Sequence, residues 1–205
     1  MIVPSVFSGR VRTRIKICGI TRPEDAWASI ESGADMLGIN LWTGSRRFVR
    51  LEAVRPWLSQ LAPVVIRVAV MVNPTMGEVE RAVGSQCFEA VQLHGRETPE
   101  FCREVIGRGF RCLKALPVKK SEETVPVSKY GEAVILLDAE REGAFGGTGL
   151  TVEPSVAAAV VARNPGRRIF LAGGLGPANV AEAIRQVCPF GVDVAGGVEA
   201  SPGIK

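Results

Sequence analysis

The chain has one histidine, one tyrosine and no CxxC pair among its 205 residues. A metal site needs three or four ligands at set spacings, which a lone His94 and five irregularly spaced cysteines do not supply. No metal and no cofactor is therefore expected. No apolar run approaches the roughly 18 residues of a membrane-spanning helix, so no membrane partner is expected either. Residues 1–13 lack a continuous apolar segment and do not read as a secretory signal. The cysteines Cys18, Cys87, Cys102, Cys112 and Cys188 are odd in number, which suits reduced thiols and a cytoplasmic protein. The formal net charge of +4 comes without a dense basic stretch. Its densest groups, Arg10/Arg12/Arg14, Arg46/Arg47 and Lys119/Lys120, are short and poor in aromatic neighbours, which argues against nucleic acid. A mild positive balance instead suits an enzyme of anionic metabolites.

What is present is a repeated alternation. Apolar residues make up 46% of the chain, and 23 glycines and 13 prolines fall between the apolar runs without a period. Short β-branched runs are expected as strands at Arg14–Cys18, Met36–Asn40, Val65–Val72, Ala90–Leu93, Phe110–Leu116, Ala133–Asp138, Arg168–Ala172 and Val192–Ala195. Segments of helical period separate them, with start signals at Thr21-Arg-Pro, Asn73-Pro-Thr, Thr98-Pro and Gly176-Pro-Ala-Asn. Eight strands and seven helices in this order predict an α/β fold, either a (βα)8 TIM barrel or a long doubly wound sheet. The first strand ends in Cys18-Gly-Ile-Thr rather than G-x-G-x-x-G, which favours the barrel. Residues 14–205 read as one barrel domain behind an N-terminal extension of residues 1–13.

A barrel places its chemistry at the C-terminal ends of its strands. Those ends carry Lys16 and Cys18, then Ser45/Arg46/Arg47, Asn73, Gln92 and His94, Lys114, Asp138, Gly173/Gly174 and Asp193. Free cysteine is ordinarily a small buried hydrophobe. At the end of a first strand, before a glycine turn, Cys18 instead suits a general base, its thiolate supported by Lys16 and a helix start. Asp138 closes the apolar run from Ala133; a helix cap is one reading, and a buried carboxyl kept protonated for acid catalysis is the other. Glycine loops follow strands six (Gly146-Gly147-Thr-Gly149), seven (Gly173-Gly174) and eight (Gly196-Gly197). Two such loops after strands seven and eight form the phosphate-binding arrangement of barrels, so the ligand is expected to be a phosphate ester.

With these residues in view, the chain resembles the phosphoribosylanthranilate isomerase family of tryptophan biosynthesis. The resemblance rests on Lys16-Ile-Cys-Gly-Ile-Thr21, Ser45-Arg-Arg-Phe-Val49, Val91-Gln-Leu-His-Gly95, Leu137-Asp-Ala139, Gly146-Gly-Thr-Gly149, Leu171–Val180 and Gly191–Gly203. It implies an Amadori rearrangement of N-(5-phosphoribosyl)anthranilate to 1-(2-carboxyphenylamino)-1-deoxyribulose 5-phosphate. On that resemblance Asp138 is the acid and Cys18 the base, and Arg47 holds the anthranilate carboxylate. Gln92, His94, Asp193, Gly147, Gly149, Gly173, Gly174, Gly196 and Gly197 contact the phosphorylated substrate.

Related barrel isomerases of histidine biosynthesis usually carry an aspartate where Cys18 stands. A pentulose-phosphate epimerase would need His/Asp metal ligands, and an idle scaffold would need neither Cys18 nor Asp138. Arg46 replaces the family's usual proline, and Ala195 and Gly196 stand where serine is often found. Family members also continue into an eighth helix, whereas this chain stops at Lys205. A further C-terminal segment, or cover from another subunit, is accordingly expected. Monomer and homodimer both remain open.

Overall fold

Eight short parallel strands pair in sequence order and close on themselves as a barrel. The computed structural model describes residues 12–61, 64–118, 125–139 and 152–205. The strands are β1 (Arg14–Cys18), β2 (Met36–Asn40), β3 (Ile66–Met71), β4 (Ala90–Leu93), β5 (Arg111–Val118), β6 (Val134–Ala139), β7 (Ile169–Leu171) and β8 (Gly191–Val194). β3 and β6 are buried at every position, as largely apolar strands covered on both faces are; Arg67 is the charged exception in β3 and pairs with Glu89. Inside the barrel Met36, Ile66, Val68, Leu113, Leu136 and Phe170 pack together. Gly191 leaves room for the Phe170 ring, since a Cβ there would lie 2.4 Å from it.

The helices that pack outside are α1 (Pro23–Glu31), α2 (Leu51–Leu58), α3 (Met76–Gly84), α4 (Pro99–Gly107), α5 (Pro154–Arg163) and α6 (Val180–Val187). Thr75 begins α3 with a reciprocal capping box to Glu78, and Thr98 caps α4 through the Phe101 amide. α1 starts differently from expectation: Arg22 is its N-cap, while the Thr21 hydroxyl donates to the Gly203 carbonyl.

Six α-helices stand among the described residues where seven were expected. Between β5 and β6 the described chain holds only the 3₁₀ turn Val127–Tyr130. Pro126 precedes that turn and Gly131 ends it at φ 52, so no run long enough for an amphipathic helix fits between them. β5 also runs two residues beyond its expected end, through Pro117, which pairs with Asp138. After β7, Gly176-Pro-Ala-Asn forms the turn before α6 rather than its first residues, and the helix begins at Val180. After β8 a 3₁₀ turn spans Gly196–Val198, and Ser201 bridges to Ile204.

Candidate active site

Alternation along the strands decides which side chains reach the barrel mouth. Lys16 and Cys18 share one face of β1, and the register sets Lys16 beside Asp193 of β8. The Lys16 ammonium accordingly meets both Asp193 oxygens at 2.9 Å, with its side chain fully buried. Burial alone would push Lys16 down, but the Asp193 carboxylate and Cys18 hold its pKa above the ordinary value, so it stays a cation. Gly38 of β2 lies opposite Cys18. A Cβ at Gly38 would sit 2.7 Å from Cys18 Sγ and 3.0 Å from Lys16 Nζ, so the missing side chain is what admits both.

The Cys18 thiol lines the cavity yet is not eased towards neutrality as its position in the sequence suggested. Burial pushes its pKa up, Asp193 adds to that, and the opposing pull of Lys16 is smaller. On the far side of the mouth, three strands round the barrel, Asp138 closes β6. Its Oδ2 lies 3.0 Å from His94 Nε2, and its Oδ1 accepts from the Ala139 amide at 2.9 Å. Gln92 Nε2 lies 2.8 Å from His94 Nδ1. His94 thus bridges Gln92 and Asp138, with one ring nitrogen within hydrogen-bond reach of each.

Between these two stations lies a cavity of about 570 Å³. Its walls include Arg47, His94, Asp193, Gly173, Gly174, Gly196 and Gly197. Gly173 and Gly174 take φ values of 82° and 59°, a region that side-chain-bearing residues rarely occupy. Asn179 pins their loop by donating to the Gly174 carbonyl and accepting from the Gly176 amide. A Cβ on Gly197 would lie 2.0 Å from the Leu175 carbonyl oxygen, so the two glycine loops touch through bare backbone. Backbone amides at such loops suit a phosphate. Arg47 is buried and Arg46 exposed, and the Arg47 amide donates to the Ser45 hydroxyl at 3.1 Å.

Two of the strand-end residues point elsewhere. Lys114 turns outward to Glu97 at 2.7 Å, and the Asn73 amide donates to Glu97 at 2.8 Å. This buried cluster fastens the loops after β3 and β4 rather than lining the cavity. Gln92 reaches the cavity only through His94. Gly147 and Gly149 lie outside the described residues, as do residues 1–11 of the expected extension. The wall residues that carried no role in the sequence reading include Asn40, whose side chain accepts from the Trp42 amide at 3.0 Å, and Glu199, which pairs with Arg47. Glu199 sits in a glycine-rich loop with no periodic pattern to mark it. Its only signal was an acid beside a phosphate loop.

Comparison with known proteins gives this site a context. The sequence model of the family "PRAI: N-(5'phosphoribosyl)anthranilate (PRA) isomerase" matches residues 15–205. The N-(5'-phosphoribosyl)anthranilate isomerase of Pelobacter propionicus is 41% identical over 192 residues, covering 94% of this chain and 89% of its own. The crystal structure of phosphoribosyl anthranilate isomerase from Thermotoga maritima superposes with a TM-score of 0.85 at 39% identity, covering 95% of this chain and 93% of that one. A phosphoribosyl anthranilate isomerase solved in complex with reduced 1-(o-carboxyphenylamino)-1-deoxyribulose 5-phosphate gives 0.80 at 37% identity, covering 95% and 92%.

Proposed function

The chain belongs to the N-(5'-phosphoribosyl)anthranilate isomerase family, and on that premise we propose how its own residues divide the reaction. It is an isomerase of tryptophan biosynthesis that converts N-(5-phosphoribosyl)anthranilate to 1-(2-carboxyphenylamino)-1-deoxyribulose 5-phosphate. Asp138 gives its proton to the furanose ring oxygen as the C1′–O bond breaks, leaving a protonated Schiff base. The carboxylate left on Asp138 is received by His94 on one oxygen and by the Ala139 amide on the other. Cys18, as thiolate, removes the C2′ proton, and the freed electron pair forms the enolamine, which tautomerises to the ketone.

Ring opening supports the second step as well as the first. It creates a cation on the substrate, and together with buried Lys16 this cation favours the thiolate that burial otherwise disfavours. A thiolate in such surroundings is a strong base for a carbon acid. The observation that carries this reading is the placement of Cys18 and Asp138 on two walls of one cavity, with the glycine loops between them.

Gly173, Gly174, Gly196 and Gly197 present backbone to the phosphate, Arg47 takes the aryl carboxylate and Asp193 faces the sugar. The family resemblance adds Gly147 and Gly149 to the residues assigned to substrate binding. Residues 1–13 form an extension ahead of the barrel. The protein works in the cytoplasm as a monomer or a homodimer, without metal, cofactor or nucleic acid. Among the described residues no helix is long and apolar enough to cross a membrane. Incubating purified protein with N-(5-phosphoribosyl)anthranilate tests the reading: the ketose product should accumulate without added metal. Turnover that requires a divalent cation would overturn it.

A further inference from the structure

Arg47 does not hang free in the cavity. Its Nε and Nη2 donate to Glu199 Oε1 and Oε2 at 2.7 and 2.6 Å, a side-on bidentate pair that ties the loop after β2 to the loop after β8. The Glu199 side chain is 4% exposed. Its Oε1 also accepts from the Gly203 amide and from Lys205 Nζ, each at 3.1 Å. Lys205 Nζ is itself fixed by the carbonyls of Cys18 at 2.7 Å and Ala195 at 3.0 Å. Burial would raise the Glu199 pKa, but these partners outweigh it and hold it down to about 2, so the residue is a carboxylate throughout the working range.

Two features fix where the guanidinium points. The Arg47 stem crosses Gly19, where a Cβ would lie 2.3 Å from Arg47 Cδ, so the arginine passes directly over the residue after Cys18. Nη2 also lies 3.4 Å from where a Gly196 Cβ would be, against the loop after β8. Glu199 occupies the side-on edge of the fork. The end-on edge, made of Nη1 and the second Nη2 hydrogen, takes up no partner among the described residues, and Arg47 borders the cavity. A planar fork has room for two carboxylates at once, one on each edge.

We propose that Glu199 is a positioning residue that sets the enzyme's selectivity for a carboxylate-bearing aryl group: it holds Arg47 by one edge so that the other edge meets the aryl carboxylate of the substrate. The inference rests on the reading of Arg47 as the carboxylate's partner. An arginine tethered in this way loses less side-chain freedom when the substrate arrives, and it is aimed before binding. Lys205 shares the charge of Glu199, so the cluster stays net positive towards an incoming anion.

The test compares two substrates on the intact protein: N-(5-phosphoribosyl)anthranilate and N-(5-phosphoribosyl)aniline, which differ by the carboxylate alone. Glu199→Gln should lower the ratio of their kcat/KM values about 10- to 100-fold, the range for a lost charge-assisted hydrogen-bond pair. In an Arg47→Ala background the same substitution should leave the ratio where Arg47→Ala has already put it, because the two act as one unit. A ratio is independent of the fraction folded, so partial misfolding of a variant does not obscure the outcome. An unchanged ratio in Glu199→Gln, with both substrates falling together, would overturn the inference and leave Glu199 a loop fastener. A ratio that rises would overturn it in the opposite sense, with Glu199 competing against substrate for Arg47. If Arg47→Ala keeps the wild-type ratio, the reading of Arg47 itself fails.

Discussion

Gly38 offers a perturbation that reaches Cys18 without touching its chemistry. In Gly38→Ala the new methyl would lie 2.7 Å from Cys18 Sγ, 3.0 Å from Lys16 Nζ and 3.2 Å from Cys18 Cα, where ordinary contact begins at 3.4 Å. Lys16 cannot give way easily, because its ammonium is held by both Asp193 oxygens at 2.9 Å. The β1 backbone is held by its ladder to β2 and β8, so Sγ must move, by about 0.7 Å. A shift approaching 1 Å at a reacting atom costs on the order of 100-fold in rate. That is about 3 kcal/mol on the barrier. Overpacking of this kind costs about 1–3 kcal/mol of stability, against the roughly 5–15 kcal/mol of a typical domain. The variant therefore folds. Steady-state turnover and a thermal melt on the same sample make the assay, with kcat expected to fall far more than folding suffers. A folded Gly38→Ala with kcat within about twofold of the wild type would refute the assignment of Cys18 as the base.

Gly197→Ala drives a Cβ to 2.0 Å from the Leu175 carbonyl and 2.7 Å from Gly176 Cα. The glycine loops should part, with the substrate KM and the inhibition constant of inorganic phosphate both rising. Lys114→Met strands the buried Glu97 carboxylate and should cost about 3–5 kcal/mol in urea denaturation. Converting Glu97 to Gln in the same chain should return part of that. Because Glu199 titrates lower in the folded protein than its ordinary 4.5, its contribution to stability is present above that value and fades as pH falls towards 2. Glu199→Gln should therefore flatten the loss of stability over that window, by about 1–2 kcal/mol once solvent screening at the cavity rim is allowed for, as acid titration of the melting temperature will show.

The strands of this barrel were legible because parallel strands covered on both faces are mostly apolar, as in Val68–Met71 of β3 and Val134–Leu137 of β6. Cys18, His94 and Asp138 were legible because a polar residue closing such a run stands out and strand order dictates that the ends converge. Lys114 misled by the same rule. It sits on a strand, but one residue out of phase with the mouth, and only the β5 register reveals that it turns to Glu97. The connection before β6 was read as a helix from the alternation of the whole chain, although Pro126 and Gly131 frame only a 3₁₀ turn. Glu199 was illegible because its partner Arg47 lies 152 residues away, and no local pattern announces a pair at that range. The direction of the Cys18 thiol was misjudged because Lys16 is visible in the sequence, whereas the depth of burial that outweighs it is not.

The division of labour between Cys18 and Asp138 is tested most directly by the turnover of Cys18→Ala and of Asp138→Asn on N-(5-phosphoribosyl)anthranilate, each measured on protein whose melt matches the wild type. Removing a positioned general base or acid costs about 100- to 10,000-fold. The account predicts a loss in that range for each substitution, with KM little altered. Wild-type turnover in either variant would contradict it.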